Sequence, residues 1–198
     1  RNMGFAGKLL ANLLAIFVLA VVGGLGSAWY MVEAGSRLST RTFGPWTVWT
    51  SAGRPDADPY TRARIARNGL LPVASTLELT FYAKTDSDGG QLQSGCEYAV
   101  TIEGLDGVWW NLAVFDRKGA LISNAAERYA FSSDTAMREP GGQTVVVVAR
   151  ETRPGNWLPS GGGKITLALT VQDAALAAAV HDGGAVKPLP EIRKLGCR

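Results

Sequence analysis

Few side chains in this 198-residue sequence have the types and spacing that chemistry requires. The single histidine, His181, stands beside Asp182 and is followed by Gly183-Gly184. A general base needs a held geometry, and the glycine pair predicts a surface ring in a flexible segment instead. Nucleophilic catalysis of the Ser-His-Asp kind would rest wholly on that imidazole. One histidine and two cysteines fall short of the four ligands of a structural zinc site. Asp86, Asp88 and Asp116 are the carboxylates on which a hydrolase would draw. They lie in Asp86-Ser87-Asp88-Gly89-Gly90 and Asp116-Arg117-Lys118-Gly119, turn signals in which aspartate bonds its own backbone. The expectation is therefore no catalytic residue, no metal and no cofactor, with a hydrolase as the weakest reading.

Cys96 and Cys197 form an even pair. In an oxidising compartment such a pair reads as a disulfide, the alternative being two unrelated thiols. The bond would close a loop of about 100 residues and pin the C-terminal tail, worth up to about 4.7 kcal/mol in the chain-entropy account. Of the six tryptophans, Trp46 and Trp110 follow strand alternation with Val48, Leu112 and Val114, which points to packing. Trp157 sits in Pro154-Gly155-Asn156-Trp157-Leu158-Pro159, where it either plugs one end of the fold or faces a partner. The candidate interaction surface is Arg54, Tyr60, Arg62, Arg64, Arg128, Asn156 and Trp157.

These residues depend on two kinds of element. From Leu9 to Val32 there are 24 residues without a charge. A helix of that length spans about 36 Å, enough for a hydrocarbon core of about 30 Å with some tilt. A cleaved signal peptide is the rival, with Arg1 and Lys8 before an apolar Leu9–Val22 and a cleavage site at Gly26 and Ala28. The apolar run continues through Trp29, Tyr30, Met31 and Val32, which favours a retained span. Arg1 and Lys8 balance Arg37 and Arg41 across it, so lysine and arginine do not orient it. A short N-terminal stub and a long following domain predict the N-terminus in the cytoplasm and the bulk in the periplasm, as a single-pass protein of the inner membrane. Gly23, Gly24 and Ser27 offer a small-residue face to another membrane helix, although glycine is also simply common in such helices.

After the span, apolar and polar residues alternate along Leu77–Lys84, Glu97–Glu103 and Lys164–Gln172, the strand signal. Trp109–Phe115 and Val145–Ala149 are apolar on both faces and read as central strands. Glycine-rich turns between them predict an antiparallel β-sandwich or barrel rather than βαβ units. Asp58 as cap, Pro59 at the first position and Gly69 as stop predict one helix over Tyr60–Asn68. A second helix is expected from Ala174 to Val180, between Asp173 and Gly183, followed by an extended tail. The organisation is then a cytoplasmic stub 1–8, a transmembrane helix 9–32, a tether 33–42, a β-sandwich 43–173, and a C-terminal helix and tail 174–198.

The composition contains 20 basic and 17 acidic residues, 46% hydrophobic residues and 19% charged ones, which excludes a disordered chain. Beyond Val32 the balance is 18 basic to 17 acidic with no Lys/Arg run, so nothing points to nucleic acid.

One set of motifs is distinctive in combination: Gly44-Pro45-Trp46, Asp58-Pro59-Tyr60-Thr61-Arg62-Ala63, Leu71-Pro72, Cys96-Glu97-Tyr98, Trp109-Trp110, Phe115-Asp116, Asn124, Arg128-Tyr129 and the loop around Trp157. With them, residues 43–173 and the tail cysteine resemble the uncharacterised proteobacterial family called domain of unknown function 1214. The resemblance implies a jelly-roll-like β-sandwich. It also implies larger relatives in which this domain is the second of two, so that a separate partner would stand in for the other half here. The family carries no established catalytic residues. The expected role is an anchored accessory or interaction subunit, or assembly factor, of an envelope membrane complex. The alternative is a small-ligand or glycan-binding module using Trp157 with Arg128 or Arg54.

Overall fold

A computed structural model of the chain describes residues 4–35, 39–71, 73–105 and 107–197. Arg1, Arg37 and Pro72, which entered the sequence reading, lie outside that set. Helix α1 covers Phe5–Ala34 and buries none of its residues. It is long and apolar enough to cross a membrane. It takes in Lys8 of the expected stub and the first two residues of the expected tether.

Most of the tether's described residues are not loose chain. Thr40–Phe43 form β1, which pairs in antiparallel fashion with β2 (Trp46–Trp49) around Gly44-Pro45. Four residues with two threonines and a phenylalanine suit an edge strand. Helix α2 (Pro59–Arg67) is delimited as its punctuation predicts: the Asp58 side chain accepts from the Tyr60 and Thr61 amides, and Pro59 occupies the first turn. Burial pushes the Asp58 carboxyl up, but hydrogen bonds from Thr61, Ser51 and the Tyr60 amide outweigh it and hold the group below the ordinary carboxylate range.

The remaining strands are β3 (Leu79–Ala83), β4 (Cys96–Ile102), β5 (Trp109–Asp116), β6 (Ala130–Ser132), β7 (Thr144–Ala149), β8 (Asn156–Pro159) and β9 (Ile165–Gln172). They are followed by α3 (Ala174–Asp182) and β10 (Glu191–Cys197). The molecule is mainly β, with two sheets. One has the order β1-β2-β3-β9-β5-β6 and the other β10-β4-β7-β8. The expectation of purely antiparallel pairing fails at one place. β7 and β8 run parallel, with Val147 opposite Trp157. Their six-residue connection reverses direction through Pro154 and Gly155, which sits at φ 79° and needs a glycine.

Strand alternation sends Phe81, Leu112, Leu167 and Leu169 from the first sheet into the same apolar cluster as Tyr98, Val100, Val146 and Val148 from the second. Leu176, Ala177 and Val180 of α3 join it. Helix α3 runs two residues further than expected, so His181 lies in its last turn rather than in loose chain. The His181 ring nitrogen Nε2 is 3.0 Å from the Ser75 carbonyl oxygen.

The tail is a strand of the second sheet. β10 pairs with β4, and Cys197 stands opposite Cys96, to which it is disulfide-bonded. The Trp46 indole donates to the Pro190 carbonyl at 2.7 Å, and Ile192 is completely buried, so the segment is sewn in before the disulfide closes it.

Candidate functional site

Helix α2 carries Arg62, Arg64 and Arg67, and the three divide by direction. Arg62 donates to the Pro55 carbonyl at 2.8 Å and stays with the loop that precedes the helix. Arg54 also belongs to that loop, paired with Asp56 at 2.7 Å in an exposed contact. Arg64 and Arg67 turn towards the end of α1. Arg64 donates to the Glu33 carbonyl at 2.9 Å, and its guanidinium lies 4.7 Å from the Trp49 ring centre. Arg67 pairs with the Glu33 carboxylate at 3.1 Å and stacks 4.1 Å from the Trp29 ring centre. The sequence reading placed Arg64 on a partner surface, whereas the structure uses it to clasp one part of the chain to another.

Burial is the chief cause that lowers the Arg64 pKa, and the facing Tyr82 and Glu33 oppose it. Tyr82, on the outer face of β3, is raised by burial against the pull of Arg64. Neither shift alters a charge near neutrality; an arginine stays protonated. The loops on either side of α2 also meet closely. A Cβ on Gly53, at φ 78°, would fall 2.1 Å from the Val73 carbonyl oxygen, so only glycine fits there.

Beside this clasp the outer face of the six-stranded sheet leaves a cleft of about 350 Å³. Glu33, Arg67, Lys84, Asp116, Arg117 and Lys118 contribute its charge, together with the rim residue Arg64. Asp116 is occupied locally: its Oδ1 accepts from the Lys118 and Ala120 amides, which folds the turn after β5. The sequence reading took this turn as punctuation and passed over its two basic side chains.

Arg128, Asn156 and Trp157 do come together, with Asn156 and Trp157 beneath the surface and Arg128 exposed above them. Trp157 is 8% exposed and its indole donates to the Ala149 carbonyl. Asn156 is 5% exposed. It donates to the Met137 and Val145 carbonyls and accepts from the Met137 amide. Arg128 lies over both Phe131 and Trp157 and donates weakly to the Trp157 carbonyl at 3.4 Å. Of the two roles open to Trp157, plugging the fold is the one observed. Tyr60 is 39% exposed, on a different element from this group. On α1, a Cβ at Gly23 or Gly24 would meet nothing within 4 Å, while the Ser27 hydroxyl bonds the Gly24 carbonyl of its own helix. Asp86 accepts from the Asp88 and Gly90 amides, again the geometry of a turn.

Residues 78–175 match the model of a family described as "Protein of unknown function (DUF1214)". Over that stretch the chain resembles this family, as its motifs indicated. Among curated proteins none matches. Solved structures resemble the chain as well. The VPA0106 protein from Vibrio parahaemolyticus aligns over 98% of this chain and 47% of its own length, at 13% identity and a TM-score of 0.55. An uncharacterised protein from Burkholderia cenocepacia aligns over 90% of this chain and 52% of its own, at 17% identity and a TM-score of 0.39. The first shares the fold. The chain spans about half the length of these structures.

Proposed function

We propose that this chain is a single-pass membrane protein whose β-rich body, a jelly-roll-like sandwich, is held on the periplasmic side as an interaction subunit of an envelope complex. The observation that carries the reading is the course of α1. It runs unbroken through Gly26–Ala28, the candidate cleavage site, and is clasped immediately afterwards at Trp29 and Glu33 by Arg67. Proteases cut exposed, locally unfolded chain, and the clasp keeps this turn helical. The disulfide suits an oxidising compartment. The open glycine face of α1 gives a neighbouring membrane helix a place to pack.

The glycan-binding alternative has no such support, since burial of Trp157 removes the aromatic platform it needs.

Alkaline carbonate extraction of native membranes, followed by N-terminal sequencing, tests the anchor. Retention in the pellet with the apolar segment intact is expected; a soluble protein beginning near Trp29 overturns it. Mild detergent extraction and affinity purification test the partner, and recovery of a free monomer alone overturns the accessory role.

A further inference from the structure

We propose that the basic cleft between α2, the end of α1 and the turn after β5 binds the phosphate headgroup of an anionic phospholipid. The proposal rests on the membrane-anchored reading and specifies what the anchored body does at the bilayer surface.

Position places the cleft at the bilayer surface. Going along α2, contacts with α1 extend from Val32 and Glu33, reached by Arg64, to Glu33 and Trp29, reached by Arg67. Trp29 lies one turn further into the apolar span. The C-terminal end of α2 therefore points towards the membrane, and Leu70 and Leu71 follow it after Asn68 and Gly69. Leu71 is 96% exposed and Leu70, which lines the cleft, is 38% exposed. Two exposed leucines at that level are costly in water and suited to the interfacial zone, where Trp29 and Tyr30 also belong.

Charge suits an anion. The cleft draws five of the 18 basic residues beyond Val32 but only two of the 17 acidic ones, which leaves the remainder of the body with thirteen basic against fifteen acidic. Glu33 is already paired with Arg67, and Asp116 faces its own turn amides. The side chains of Lys84, Arg117 and Lys118 have no hydrogen bond or ion pair among the described residues. Three unneutralised cations converge on one open space beside a guanidinium at headgroup level. A phosphodiester meets that arrangement, accepting a forked pair of bonds from arginine and a point contact from lysine.

Size suits a headgroup. About 350 Å³ is small for a drug-like ligand cleft and ample for a phosphate group with its glycerol carbons. The adjoining leucines distinguish a lipid from a free anion, which has no use for them.

The test uses the full chain in nanodiscs of phosphatidylcholine, alone or with a minority of phosphatidylglycerol. Retained lipid is read by native mass spectrometry. Wild type is expected to keep phosphatidylglycerol in preference to phosphatidylcholine. Each surface cation contributes about five-fold to such a preference. Arg117→Gln with Lys118→Gln is therefore expected to lower it roughly 25-fold, and Lys84→Gln about five-fold. Both changes fall on exposed residues, and unchanged melting in pure phosphatidylcholine verifies their folding. Equal retention of the two lipids, or variants that select like wild type, overturns the proposal. So does inorganic phosphate added to phosphatidylcholine discs, if it raises the melting temperature as much as phosphatidylglycerol does, because the site then serves a free anion. A chain that never enters the discs overturns the anchor as well. One that enters without lipid preference overturns the headgroup site alone.

Discussion

Asn156 makes three hydrogen bonds from a position with almost no access to water, so its replacement is informative. Asn156→Ala would remove the partner of the Met137 amide and of the Met137 and Val145 carbonyls. At about 1 kcal/mol for each bond, with a penalty for buried groups left unpaired, the loss is about 2–4 kcal/mol. A denaturant titration of purified protein should show the midpoint fall with the slope unchanged. If Asn156 instead served a partner, stability would hold and complex recovery would drop. At this scale the sequence was ambiguous for a definite reason. A tryptophan between two prolines signals a special loop, yet whether its ring turns inward depends on Ala149, Phe131 and Arg128, which come from other strands and an intervening loop. His181 was misjudged likewise: the glycine pair after it ends a helix and does not loosen the ring, because Gly183 at φ 79° forms the left-handed cap of α3.

At the scale of elements, the clasp between α2 and α1 is the feature open to perturbation. An exposed Arg–Glu pair contributes up to about 1 kcal/mol and a cation–π contact about 0.5–1 kcal/mol more. Arg67→Ala is therefore expected to loosen the junction without unfolding the body. Limited proteolysis of detergent-solubilised protein should cut between α1 and β1 about 5–30 times faster, with the global melting temperature unmoved. An unchanged cutting rate would mean that the contacts do not hold the junction. Helix α2 was legible because its signals are local: Asp58 caps, Pro59 starts and Gly69 stops. β1 and β10 were not, for the opposite reason. β10 reads Glu-Ile-Arg-Lys-Leu-Gly-Cys and buries only Ile192, so no alternation marks it. It is a strand because β4 offers an edge and Cys197 reaches Cys96. The small-residue face of α1 was visible in the sequence, but the Arg117–Lys118 turn was not recognised as functional, since two basic residues in a turn look like ordinary solvation until Lys84 and Arg67 are brought beside them.

For the whole molecule, the bond between residues 101 apart ties the edge of one sheet to the chain that precedes it by half its length. Chain-entropy reasoning and the usual shortfall from it put its worth at about 2–4 kcal/mol. Reduction should lower the melting temperature by roughly 5–12 °C in a domain of this size, measured by calorimetry with and without a thiol reductant. A shift below a degree would show that β10 is held by pairing alone. The mainly β character was legible, with β3, β4 and β9 marked by alternation and β5 and β7 by runs apolar on both faces. The division into a six-stranded and a four-stranded sheet was not, because it is set by pairings such as β3 with β9 that only the assembled chain reveals. The same long-range closure governs the order of events during synthesis. β4 emerges without its β10 neighbour, and at about 5–20 residues per second Cys197 follows Cys96 after roughly 5–20 s. Throughout that wait Cys96 is a lone thiol on an unpaired strand edge. Two nascent chains side by side are then competitors for each other's sulfur, and crowding of chains during synthesis becomes a hazard to correct folding.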